Sequence, residues 1–148
     1  MKFSDKVKAV LGLSEEKPVV LGKNDIQKND DIQIEVVKVP EWGGSVLVMG
    51  LGGLERDKYT KSLVKGKGKK AQVNLENMTA KLCALCMVDE NGKRLFNNME
   101  IGELGQKSAA ALSRVFKVAS RLSGLDEEEQ DEILKNSGDS QSEDSGLS

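Results

Sequence analysis

Four short patterns in this 148-residue chain carry residue types that perform chemistry in other settings. They are GLGG at 50–53, KGKGKK at 65–70, Cys83-Ala84-Leu85-Cys86 and DENG at 89–92. The chain has no histidine, which removes the usual general base near neutral pH and the commonest metal ligand. Serine–histidine and cysteine–histidine mechanisms are therefore excluded.

GLGG lies in PEWGGSVLVMGLGGLERDKY, Pro40 to Tyr59, where an apolar strand-like run meets glycines and then a helix-like run. A strand feeding a glycine-rich turn into a helix is the build of a phosphate cradle, because free N–H groups at a helix N-terminus favour negative charge. The dinucleotide fingerprint G-x-G-x-x-G fits Gly50 and Gly52 but places Glu55 at the third glycine, and a carboxylate there repels a pyrophosphate. KGKGKK fails as a P-loop, since Lys70 stands where Ser or Thr must bind magnesium and Leu63 where the first glycine belongs.

The C-x-x-C pair falls inside a helical pattern, where amide groups are already bonded and do not lower a thiolate pKa. With two cysteines in all, a four-ligand zinc site needs carboxylates, so both read as small buried hydrophobes. In DENG the glycine comes fourth instead of sixth, which suits a turn and not a calcium loop. These readings leave an expectation of no enzyme activity, no cofactor and no metal.

Net charge is −2, but from Asp126 onward nine acidic residues face one basic, Lys135; that leaves residues 1–125 with 21 of the 22 basic and 15 of the 24 acidic residues. A mildly basic body carries an acidic tail. The lone basic loop at 65–70 and the 3% aromatic content argue against nucleic-acid binding, which uses basic surfaces and stacking rings. No stretch approaches the ~20 apolar residues of a membrane helix or resembles a signal peptide, so the expectation is a soluble intracellular protein without a membrane partner.

The elements that position these residues follow from period and punctuation. Phe3, Val7, Val10 and Leu11 predict a short helix from Ser4 as N-cap to Gly12. Residues 14–31 read as a mobile connector. Ile32–Val39 and Ser45–Leu51 predict an antiparallel hairpin closed by PEWGG, with positive φ at Gly43-Gly44. The second strand is apolar on both faces, which calls for a covering helix. Leu54–Val64 reads as a helix, Lys65–Lys70 as a loop, and a core-facing helix follows Asn74 as its N-cap, with Leu75, Met78, Leu82, Leu85 and Cys86 on one stripe. Asn91-Gly92 predicts a small hairpin, Asn98–Gln106 a short helix ending near Gly105. Ser108 and Gly124 bracket the clearest helix, whose apolar face is Leu112, Val115, Phe116, Ala119 and Leu122. Asp126 and Glu129 are spaced as a capping box for a further turn. From Ser137 the Ser, Gly and Asp composition predicts disorder.

The expected fold is α+β: a mostly helical single domain with an N-terminal antiparallel β-hairpin and a disordered acidic C-terminal tail. Its divisions are a short helix and connector at 1–31, a folded domain at 32–135 and a tail at 136–148.

Three motifs in this order, VPEWGGSVLVMGLGGLERD (Val39 to Asp57), LCMVDENGKRLF (Leu85 to Phe96) and LGQKSAAALSRVFKVASRLSGL (Leu104 to Leu125), together resemble the tail assembly chaperones of long-tailed bacteriophages and prophages. The resemblance covers roughly residues 33 to 135 and leaves the N-terminal 30 outside. It implies a non-enzymatic protein of the host bacterial cytoplasm that holds the tape-measure protein soluble and helps recruit tail tube subunits during tail morphogenesis, with self-association left open. A structural virion protein, such as a tail completion or head–tail connector component, is the alternative. The residues singled out for partner contact are Trp42, Val115 and Phe116; the last two fit a core equally well.

Overall fold

The computed structural model describes residues 3–12, 18–66, 68 and 72–125. The chain divides into two units, Met1–Asp31 and Ile32–Ser148, and the expected disordered tail and capping box beyond Leu125 lie outside the described residues.

In the first unit α1 spans Phe3–Gly12, so it begins one residue before the expected cap Ser4. The supposed connector holds a second helix, α2, Lys23–Lys28. Its start is set locally: the Gly22 amide donates to Asp25 Oδ2 at 2.8 Å, and Asp25 in the first turn and Lys28 in the last match the helix dipole. Such a six-residue helix buries nothing and therefore leaves no apolar period to read.

The second unit is a small α+β domain. Strands β1, Ile34–Val39, and β2, Gly44–Met49, pair antiparallel with Ile34 opposite Met49 and Val39 opposite Gly44. Between them a 3₁₀ turn, Pro40–Trp42, ends at Gly43 with φ +73°, a conformation that favours glycine. Only Gly43 of the expected Gly43-Gly44 pair needs it, because Gly44 already belongs to the ladder. Helix α3, Gly53–Ser62, follows. The expected basic loop, Lys65–Lys70, is entered from β3, Val64–Lys65, which takes its first residue and pairs antiparallel with β4, Gln72–Val73; residues 67 and 69–71 lie outside the described residues.

Helix α4 runs Met78–Cys86 with Asn77 as its N-cap, three residues later than an N-cap at Asn74 predicts. Asn74 Oδ1 accepts from the Glu76 amide instead of capping the helix, and Asn77 occupies the left-handed region at φ 59° immediately before it. Strand β5, Met87–Val88, adds to β2 antiparallel, giving the sheet order β1-β2-β5. The Asn91-Gly92 turn returns the chain so that Arg94 bridges Val88. A 3₁₀ turn at Asn98–Glu100 leads into α5, Ile101–Leu104, and then α6, Ala109–Leu122. Ser108 Oγ accepts from the Ala111 amide at 3.3 Å, and Gly124 takes φ +72° past the end, as capping chemistry requires.

α6 packs on α4 and across β1 and β2. Alternation along the strands puts Val37, Val39, Val46 and Val48 on the face beneath it, and these join Leu63, Leu82, Met87, Leu104 and Val115 in one core. The opposite face carries Ile34, Val36, Leu47 and Met49, none of which belongs to that core. One helix layer therefore covers one side of the sheet.

Candidate partner-contact surface

Three of the four chemistry-bearing patterns have a structural occupation; KGKGKK lies partly outside the described residues. Gly50 sits under the last turn of α6, where a Cβ would collide with the Leu122 carbonyl oxygen. Gly52 precedes α3, and Glu55 lies in its first turn. The Leu51 amide donates to Ser123 Oγ at 3.0 Å, and Arg56 Nη1 reaches the Gly124 carbonyl at 3.5 Å. The glycine cluster thus lets the β2–α3 connection abut the C-terminal end of α6.

Cys83 and Cys86 are wholly enclosed. Cys83 Sγ donates to the Leu112 carbonyl at 3.4 Å, and Cys86 Sγ lies 3.8 Å from Ser123 Oγ. Burial pushes the Cys83 thiol up to about 12 and the Cys86 thiol up to about 11, the opposite of what a reactive dithiol needs. Burial likewise raises the Tyr59 phenol well above its ordinary value, while its hydroxyl ties α3 to α4 by donating to the Met78 carbonyl at 3.1 Å. Asp89 Oδ1 accepts from the amides of Asn91 and Lys93 at 2.8 and 3.0 Å, so this carboxylate shapes a turn. Among the described residues no group of three or more Cys, Asp or Glu is placed to hold a metal ion, and no helix is long and apolar enough to cross a membrane.

The three residues singled out for contact separate by depth. Val115 is 0% exposed, so its side chain offers no surface to a partner in this conformation; as position i−1 to Phe116 on α6 it turns fully into the core. Trp42 and Phe116 are half-buried and pack against the core cluster. Trp42 stands on the 3₁₀ turn, which α6 holds: Arg114 Nε donates to both carboxylate oxygens of Glu41 at 2.8 and 3.1 Å. That bond is the main cause holding the Glu41 carboxyl below its ordinary value. Two helical turns along, Arg121 donates to Glu35 at 2.6 Å, so α6 is tied to the hairpin at both ends of β1. The turn bearing Trp42 is thereby fixed against the helix bearing Phe116.

Sequence reasoning missed the exposed sheet face of Ile34 and Val36, 56% and 65% accessible. The signal was present in the apolar character of both faces of β2, but which face a helix covers is a matter of packing. No family model, curated protein or solved structure matches the chain.

Proposed function

We propose that this protein is a non-enzymatic phage tail assembly chaperone, acting in the host bacterial cytoplasm by binding the tape-measure protein and helping recruit tail tube subunits. The observation that carries the reading is the three motifs of the resemblance, occurring in one order. The fold makes that order meaningful. The first motif supplies the turn, β2 and the start of α3; the second β5 and its return; the third α6. β2 pairs with β5, and α6 packs on β2, so segments distant in sequence form one packed unit.

The partner this reading calls for is a long amphipathic helix, since half-buried aromatic and aliphatic side chains at a rigid turn can accept the apolar stripe of such a helix. Trp42 and Phe116 are the residues assigned to that contact. In this reading the buried thiols of Cys83 and Cys86, the turn-forming Asp89 and the ion-paired Glu35 and Glu41 have structural roles. The deciding experiment is coexpression with the tape-measure protein of the same phage, followed by affinity purification and by mass spectrometry of finished particles. A stable complex together with absence from the particles supports the chaperone; detection of the chain in mature tails overturns it in favour of a structural virion component.

A further inference from the structure

β1 is the edge of its sheet: the strand order is β1-β2-β5, and among the described residues no strand lies on its other side. Which backbone groups that edge presents follows from the ladder. The Gly50 amide donates to the Gln33 carbonyl at 3.0 Å, and these two residues continue the register in which Ile34 stands opposite Met49, so they form a hydrogen-bonded pair. Such pairs alternate along antiparallel strands. Glu35, Val37 and Val39 therefore bond β2, while the N–H and C=O groups of Ile34, Val36 and Lys38 point away from it. Ile34 and Val36 are also more than half exposed. An edge with unpaired backbone groups and apolar side chains is a template for a further strand.

A copy of the same edge matches this pattern. In a two-fold antiparallel pairing centred on Val36, Val36 faces Val36 of the second copy and Ile34 faces Lys38, so all three outward positions become hydrogen-bonded pairs. A register shifted toward the turn would bring in Pro40, which has no N–H to donate. On the side away from α6, the two Val36 side chains pack together and the methylenes of Lys38 lie over Ile34. Charge on the α6 side is complementary as well. Glu35 of each copy stands diagonal to Glu35 of the other, ~7–8 Å away. Each accepts from its own Arg121 at 2.6 Å, and the Arg121 and Glu35 side chains stay 59% and 42% exposed, which leaves both free to meet a second partner. Two Glu35–Arg121 pairs then alternate in sign around the axis, each guanidinium beside the other copy's carboxylate.

We propose that β1 is the seam of a symmetric dimer, in which two copies of this chain join edge to edge and their three-stranded sheets become one continuous sheet. Val36 lies on the axis and the Glu35–Arg121 pairs interleave beside it. The contact is isologous, the same patch on both copies, so association through this surface closes at two. The inference stands independently of the tail-assembly reading.

The test is sedimentation equilibrium of the full chain over a wide range of concentrations, joined to amide hydrogen exchange followed by NMR. The expected result is a mass that rises from 16.1 kDa toward twice that value. Over the same range the amides of Ile34, Val36 and Lys38 become protected, while those of Val37 and Val39 are protected throughout. Val36→Pro removes an outward donor and leaves the bonds to β2, as an edge strand allows, and is expected to weaken association several-fold with the Val115 amide still protected. Arg121→Glu, which gathers four carboxylates at the axis, is expected to weaken it likewise, and the charge swap Glu35→Arg with Arg121→Glu to restore it. Should Val36→Pro fail to fold, the parent exchange data and the Arg121→Glu pair decide. A parent that stays monomeric overturns the proposal, whether its Val36 amide is fast or shielded by another occupant of the edge. A dimer whose Val36 amide exchanges freely, or one that survives both single variants with the core intact, also overturns it, because association then uses a different surface.

Discussion

Arg114 and Glu41 join residues 73 positions apart through one guanidinium and both oxygens of one carboxylate. Because the Glu41 carboxyl is held below its ordinary 4.5, the pair stabilises the fold above that pH, and the contribution is lost as pH falls from 4.5 through the folded value. Following the Glu41 side-chain carbon by NMR is expected to give a titration midpoint below 4.5 that returns toward it in Arg114→Ala; an unchanged midpoint would show that the guanidinium is not the cause. Burial makes Cys83 and Cys86 inert, so their labelling by a thiol reagent at pH 8 is expected to follow global unfolding in a denaturant series, with fast labelling of the native protein as the contrary result. Ser120 presents a different case. Its Oγ is enclosed and has no hydrogen-bond partner among the described residues, and an unsatisfied buried hydroxyl costs about 1–3 kcal/mol. Ser120→Ala is therefore expected to raise stability by ~1 kcal/mol in chemical denaturation, and a loss of stability would mean that the hydroxyl is bonded.

Among the elements, α6 determines how the others assemble. Its capped start was legible from Ser108 and its end from Gly124, because both act through hydrogen bonds and dihedrals within a few residues. Its inner stripe was legible too, as Leu112, Val115 and Ala119 are all buried. What the period of 3.6 left undecided was the edge of the stripe: Val115 and Phe116 are neighbours, and only packing against α4 and the sheet decides that the first is enclosed and the second half-open. At its far end α6 depends on Gly50. Gly50→Ala forces a Cβ against the Leu122 backbone, and overpacking of this kind costs about 1–3 kcal/mol, measurable as a lowered denaturant midpoint with unchanged slope. β5 escaped sequence reading for a related reason. Two residues have no period, and Met87–Val88 becomes a strand only because β2 lies alongside.

At the scale of the whole molecule, burial and function make separable demands. Val115→Ala is expected to destabilise the domain through the cavity it leaves without weakening the proposed tape-measure binding beyond that loss of folded protein. Trp42→Ala is expected to weaken binding at least several-fold at a modest cost in stability, read by coupled copurification and thermal melts; equal effects of the two variants on binding would remove Trp42 from the contact. Trp42 is the one tryptophan, so its emission reports directly on that turn when a partner is added.

The sequence by itself determined the α6 boundaries, the hairpin turn at Gly43 and the exclusion of histidine chemistry. Each is a local or compositional property, set by capping hydrogen bonds, a left-handed φ or the absence of a side chain. Tertiary structure alone decided that the β2–α3 glycines serve close packing against α6, that both thiols are sealed, and which face of the sheet α6 covers. Those outcomes rest on contacts such as Leu51 with Ser123, 72 positions apart, where the identity of a residue specifies what it can bury but not which surface arrives to bury it.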